Sequence, residues 1–350
     1  MSSRNKLRVA VAGTSFGGNV QIPVFQSHPR TEVVSVSSGR LERAAKAAQD
    51  YSIPTYYTDF EEMLDREKPD VVSIVTPPKL HFPMTMAALT RGIHVLCEKP
   101  FAMNVEEAQQ MKAAADHTPV VAMVDFEFRY VPARSYLVDL VRDGYVGDIR
   151  MVDFIVHFGQ RSQPGDVGFD WWSDVTRGGG LLNAFGSHVM DTLRWILGDP
   201  KRLVADLTTF VKEREGGTVT SDDGYAMMIE FKSGVRAVVQ MTTVAGVDDA
   251  RFGAYGNLGQ LVIPNIFGTE LRGGKREDKV TGSMDIPEKY RLAPESHPLQ
   301  APFRVLLDRM VNAIDSGGPS PSPDFQDGLN SQIMLDAARV SVQTGKWVEF

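Results

Sequence analysis

Two clusters of residues have types and spacings suited to proton chemistry. Glu98-Lys99-Pro100 closes a short apolar run, and a lysine at the carboxyl end of a buried strand, beside an acid, can give or take a proton. The alternative reading is a surface lysine paired with Glu98. Further along, His188 and Asp191 stand three residues apart in Gly186-Ser187-His188-Val189-Met190-Asp191, so a helix there puts both on one face. An imidazole oriented by a carboxylate is an acid, a base or a substrate ligand, and a satisfied core histidine is the plainer alternative. Metal binding is not expected, because the 7 histidines are scattered and the single cysteine, Cys97, has no partner at ligand spacing.

A third cluster suits an anion. Gly13-Thr14-Ser15-Phe16-Gly17-Gly18 fits G-x-G-x-x-G with Ser15 at the second glycine position. Gly13 would make the tight turn, the backbone near Ser15 would approach a pyrophosphate, and Gly18 would let the helix pack closely on the strand with its amides facing the anion; Phe16 and Gly17 belong to the same cofactor-binding set. In NAD binders an acid ends the second strand and holds the ribose 2′-hydroxyl. Here that strand ends Ser37-Ser38-Gly39-Arg40, with no carboxylate to repel a 2′-phosphate and a guanidinium to pair with it. Ser38 and Arg40 therefore favour NADP over NAD. Thr76-Pro77-Pro78, with His81 shortly after, falls at another strand end, where it would either wall the cofactor or simply stop the strand.

These residues need elements to hold them. Up to about residue 125, short apolar runs alternate with amphipathic stretches, the pattern of parallel strands joined by crossover helices. Strands are read at 7–12, 32–37, 71–76, 94–98 and 120–124, with helices at 41–49 and 82–91 among the connections. Beyond residue 126 hairpin signals take over: strands at 150–158, 203–212, 223–232, 235–245, 251–256 and 260–263, then helices at 302–315 and 327–343. The expectation is an α/β chain in two domains. Residues 1–126 form a doubly wound parallel sheet of Rossmann type for the nucleotide, and residues 127–350 form a domain with a largely antiparallel sheet for the substrate.

Composition narrows the partners. The 44 acidic residues exceed the 37 basic ones for a net charge of −7, which argues against nucleic acid and anionic membrane surfaces. One cysteine closes no internal disulfide, and the apolar run after the basic start spans only residues 7–12, too short for a signal-peptide core. No stretch is long enough for a membrane helix, so a cytoplasmic location is expected.

Taken together, the glycine fingerprint, Glu98-Lys99-Pro100, and Gly178-Gly179-Gly180 followed by Gly186-x-His188-x-x-Asp191 resemble the Gfo/Idh/MocA family of glucose-fructose oxidoreductase and inositol dehydrogenase type. The similarity runs to the Gly345-Lys346-Trp347-Val348-Glu349 ending. The resemblance implies an N-terminal NAD(P)-binding Rossmann domain and a C-terminal α/β domain whose open sheet builds homodimers or homotetramers. It implies that Lys99 acts at the reacting oxygen, that His188 is the second proton-handling or substrate-binding group, and that Arg129 and Trp172 lie near the cofactor. One departure stands out: the family's sugar and inositol dehydrogenases carry an aspartate four residues before the histidine, where this chain has Ala184. Asn183, Asp191 or a loop acid such as Asp170 or Asp174 would have to replace it, or the substrate differs.

The expected function is an NADP-dependent oxidoreductase, with NAD as the second choice, that exchanges hydride with a secondary hydroxyl or ketone of a sugar, cyclitol or similar polyol. Lys99 and His188 would be catalytic. Lys99, Asn183, His188 and Asp191 would meet the substrate, and Thr76, Pro77, His81 and Glu98 would join the fingerprint at the cofactor. The alternatives are a lyase or glycosidase that uses transient hydride transfer, and an NADP-binding sensor without catalysis. Specificity is assigned to the loops at 160–177 and 246–251, for which no residue code exists.

Overall fold

Six strands, β1 (Leu7–Ala12), β2 (Thr31–Ser37), β3 (Thr55–Tyr57), β4 (Val71–Ile74), β5 (His94–Cys97) and β6 (Ala122–Val124), pair in parallel in the order 3-2-1-4-5-6. β1, β4 and β5 are buried over residues 9–12, 71–74 and 95–97, where all but Ser73 are apolar, as strands covered on both faces must be. The crossovers are α1 (Ile22–Ser27), entered through a π-turn at Gly17–Gln21, then α2 (Leu41–Asp50), α3 (Phe60–Glu67), α4 (His81–Leu89) and α5 (Val105–Asp116). Capping places two of them: Asp59 accepts from Glu62 N at 3.0 Å, and Asn104 accepts from Glu107 N at 2.9 Å while Glu107 reaches back to Met103 N. Because the strand order reverses between β1 and β4, their carboxyl ends diverge into the crevice where such sheets bind ligands. The computed structural model describes residues 6–265 and 267–350.

A second sheet has nine strands in the order 16-15-14-13-7-12-11-8-17. It comprises β7 (Ile149–His157), β8 (Pro200–Thr208), β11 (Gly224–Phe231), β12 (Arg236–Thr242), β13 (Asp249–Gly256), β14 (Gly259–Ile263), β15 (Leu271–Lys275), β16 (Gly282–Met284) and β17 (Val348–Glu349), while β9 (Glu213–Arg214) and β10 (Gly217–Thr218) make a separate small hairpin. β7 and β12 pair in parallel and the other neighbours are antiparallel. The Ser233-Gly234 turn joins β11 to β12, with Gly234 at φ +88°. Alternation sorts the faces: Val152, Phe154, Val156, Val239 and Met241 are buried with Leu137 of α6 (Pro132–Arg142) and Val189, Met190 and Leu193 of α7 (Ser187–Leu197).

α8 (Gln300–Ser316) and α9 (Phe325–Thr344) close the chain. The chain divides into two compact units, one running up to Glu127 and joined by Ala293–Gln332, the other Phe128–Leu292 joined by Ile333–Phe350. The sequence reading differs here, since it gave everything after residue 126 to the second domain. α8 instead returns to the first sheet's unit, where Phe303 meets Phe25 edge-on at 5.6 Å, Gln300 Nε2 donates to Asn19 O at 2.9 Å and Arg30 pairs with Asp315 at 2.7 Å. Nothing local in a helix pattern says which core its apolar face will meet. No helix among the described residues is long and apolar enough to cross a membrane.

Candidate active site

In the first unit the chemistry-bearing residues gather at the carboxyl ends of adjacent strands. Gly13 leaves β1 at φ +116°, and a Cβ there would lie 2.1 Å from the carbonyl oxygen of Val75, so the fingerprint turn can run against the end of β4 only with glycine. Its amide donates to Ser37 O at 2.9 Å, which ties the turn to β2 as well. Ser15 is exposed, Phe16 sits edge-on to His297 at 6.5 Å, and Gly17 and Gly18 are buried at the start of the π-turn. Ser38 donates its amide to Tyr57 O, Gly39 has open space about it, and Arg40 is exposed ahead of α2. The residues between Ser37 and Arg40 include no acid. This donor set fits a pyridine dinucleotide: a turn that admits backbone only, and a second-strand end with hydroxyls and a cation.

His81, expected beside the cofactor, is fully buried. Its Nδ1 faces Pro100 O and its Nε2 faces Thr76 O, each at 2.8 Å. The ring thus lies between the end of β4 and the turn after β5. Burial pushes its pKa below the ordinary histidine value, against the pull of the carbonyls. Thr76 faces that ring through its carbonyl, and Pro77 follows in extended backbone.

Lys99 is half-buried at the end of β5, and its backbone N–H donates to Glu98 Oε2 at 3.1 Å. Around it lie Glu98 and two buried acids that sequence reasoning missed, Asp125 and Glu127. Glu98 is 6% exposed, Asp125 0% and Glu127 1%. Burial raises the pKa of Glu98, raises that of Asp125 well above the ordinary carboxyl range, and pushes Glu127 up to about 8. Gln21 donates to Glu98 and Asp125 together. The signal was present in Asp125-Phe126-Glu127, alternating acids straight after an apolar strand, but its partner Gln21 is remote in sequence.

The second unit holds the other half of the expected set. His188 is buried and its ring stacks on Phe128 at 4.1 Å with the planes 11° apart. Asp191, expected to orient it, accepts from Arg129, from Nε at 2.8 Å with a second contact from Nη2. The buried guanidinium of Arg129 holds that carboxylate and lies 5.5 Å from the Trp195 ring centre. Three-residue spacing on α7 gave no sign that an arginine from a separate element would reach this carboxylate. Asn183 is likewise anchored: its amide donates to Gly178 O at 3.0 Å and Gly179 O at 3.3 Å, and its oxygen accepts from Arg339. Ala184 is buried where the family's aspartate would stand.

The triple glycine has a packing cause. A Cβ on Gly179 would meet Trp171 O and Trp172 O at 2.4 Å, and one on Gly180 would meet Asp222 Oδ1 at 2.2 Å. Asp222 accepts from Leu182 N at 2.7 Å and holds the start of the turn into α7, a role the sequence did not signal. Burial pushes its pKa up to about 6. Trp172 lies edge-on to Phe185 at 6.3 Å with the Arg161 guanidinium 4.9 Å above its ring, and Arg161 holds Asp170 at 2.8 Å. Asp174 caps the short turn at 175–177 by accepting from Thr176 N.

A parallel sheet of this strand order, with an anion-ready turn at its switch point, is the scaffold of nucleotide-dependent oxidoreductases. Residues 7–126 match the oxidoreductase family's NAD-binding Rossmann domain and residues 135–262 match the Gfo/Idh/MocA C-terminal domain, so the chain belongs to the Gfo/Idh/MocA family of oxidoreductases. It is 31% identical to an uncharacterized oxidoreductase of Synechocystis, over 99% of this chain and 97% of that one. It is also 31% identical to D-glucoside 3-dehydrogenase of Escherichia coli, over 98% and 97%. Among solved structures, levoglucosan dehydrogenase in complex with NADH and levoglucosan superposes with a TM-score of 0.90 at 25% identity, covering 99% of both chains.

Proposed function

We propose that this oxidoreductase interconverts a secondary hydroxyl and a ketone on a sugar, cyclitol or similar polyol, with NADP preferred to NAD. The observation that carries the reaction is the Glu98-Lys99 turn, fixed by the Glu98 carboxylate at the carboxyl end of β5, in the same sheet as the Gly13 turn. When bound, the nicotinamide supplies the hydride acceptor or donor. Lys99 holds the proton exchanged with the substrate oxygen and, as the ammonium, stabilises the developing alkoxide. His188 is the second proton-handling group, kept in one ring orientation by Phe128. The relatives named D-glucoside 3-dehydrogenase and levoglucosan dehydrogenase support a carbohydrate substrate.

The NADP preference rests on Ser38, Gly39 and exposed Arg40 at the β2 edge, where no carboxylate opposes a 2′-phosphate. The open face of the nine-stranded sheet, with Met151 and Met228 exposed, supports a homodimer or homotetramer. The chain works in the cytoplasm in this reading.

The test is NADP+ reduction, with NAD+ alongside, across D-glucose, alkyl D-glucosides, levoglucosan and myo-inositol. Reduction with one of these sugars and faster turnover with NADP+ is the expected result. Reduction with none of them sinks the substrate class, and faster turnover with NAD+ sinks the preference. Because Ala184 removes the usual aspartate, glycosidic cleavage without net reduction would point to the elimination reading instead.

A further inference from the structure

Gln21 lies at the end of the π-turn Gly17–Gln21, just past the fingerprint, and is fully buried. Its amide nitrogen donates to Glu98 Oε1 at 2.9 Å and to Asp125 Oδ2 at 2.8 Å, and its amide oxygen accepts from Ser73 Oγ at 2.5 Å. One side chain thus ties the turn after β1 to β4 and to the ends of β5 and β6. The other oxygen of Glu98 accepts the Lys99 N–H, so the lysine's backbone rests on a carboxyl group that Gln21 holds.

Two carboxyl groups bonded to one nitrogen lie within two hydrogen-bond lengths of each other, and Glu127 adds a third buried acid. The titratable groups around them are Cys97 and Lys99 on β5 and its turn, Glu127 beyond β6, and His81 at the start of α4. Burial raises the Cys97 thiol and lowers His81, which leaves both neutral, while Lys99 supplies the opposing positive charge to Glu98 and Glu127. Like charges this close in a low-dielectric interior cannot all ionise.

We propose that Gln21 is a positioning residue for Lys99 and that the Glu98–Asp125 pair it bridges holds one shared proton at neutral pH. The pair then presents one negative charge to the lysine instead of two, and the remaining carboxylate keeps the Lys99 N–H. The kinetic consequence rests on the reading of Lys99 given above, whereas the shared proton does not.

Infrared spectra of the full-length protein test the proton directly. Wild type should show a protonated-carboxyl absorption at neutral pH that titrates away on alkalinisation, and Asp125→Asn should reduce it by roughly half, Glu127 keeping the rest. Gln21→Met removes a donor that favours the ionised form, so it should move the disappearance upward by about one pH unit. No such absorption in wild type, or one unchanged in both variants, overturns the shared proton. For positioning, turnover of a D-glucoside by Gln21→Met should fall about tenfold, with the nucleotide KM within about twofold and the pH profile displaced. An unchanged turnover and profile overturns that role. If the methionine variant does not fold, Gln21→Glu, which still accepts from Ser73, takes its place. Turnover surviving in Lys99→Met would end the catalytic reading while the infrared result still decides the proton.

Discussion

At the scale of single residues, the demands on Lys99 and on Arg129 differ. Lys99 is half-buried, and its backbone N–H rests on the neighbouring Glu98 carboxyl group. Replacing it with methionine keeps the stem and removes the amine, so turnover should fall by about 10³-fold or more while NADPH binding, followed by fluorescence, changes less than about twofold. A Lys99→Met protein with ordinary turnover refutes the assignment. Arg129 and Asp191 form a buried pair, in which loss of one partner strands a charge. Urea denaturation should show Arg129→Met destabilised by about 3–5 kcal/mol, and the double variant Arg129→Met/Asp191→Leu should recover a large part of that. Equal losses in both would mean that packing, not charge, is what the site supplies.

At the scale of elements, turns are held by side chains whose ionisation has a cost. Asp222 fastens the triple-glycine turn to the start of α7 through Leu182 N, and its carboxyl is raised to about 6 in the folded chain from an ordinary 3.8. A group raised on folding contributes stability that is complete below the unfolded pKa and lost as pH rises through the folded one. The difference in unfolding free energy between wild type and Asp222→Asn should therefore decline from about pH 4 to about pH 6 and be flat above it. A difference that does not change over this window contradicts the role given to burial. Asparagine retains an acceptor for Leu182 N, so the comparison isolates the charge. On the first sheet the buried ring of His81 lies between the ends of β4 and β5, and because burial lowers its pKa its linkage has the opposite sign, stability being lost as pH falls.

At the scale of the molecule, the late helix α8 belongs to the unit of the first sheet. Phe303 is fully buried against Phe25, so Phe303→Ala should cost about 3–5 kcal/mol and weaken binding of the nicotinamide dinucleotide through the unit that carries the fingerprint. Thermal melting with and without NADPH measures both effects. A variant that melts lower yet gains the full NADPH stabilisation would show that α8 supports the fold without supporting the nucleotide turn. In the second unit the outer sheet face carries Met151, Ile155, Met228 and Val238 among polar neighbours. Analytical ultracentrifugation should give a dimer or tetramer, with Met228→Glu shifting mass toward the monomer; a monomeric wild type would remove that face as an interface.

Local signals carried much of this protein. Valine-rich runs bounded by glycine and proline marked the parallel strands because buried strands need apolar side chains on both faces, and Gly13 was legible because only glycine takes its turn. Lys99 and His188 stood out by type and by the motifs around them, and their family followed. Tertiary structure decided the partners. Asp191 holds Arg129, His81 lies between backbone carbonyls, Asn183 donates to glycine carbonyls, and Gln21 gathers acids from the ends of β5 and β6. Spacing along a chain says which side chains share a face of their own element. Which group on another element reaches them first is set by packing, and a buried charge or amide takes whichever partner the fold brings within hydrogen-bond distance.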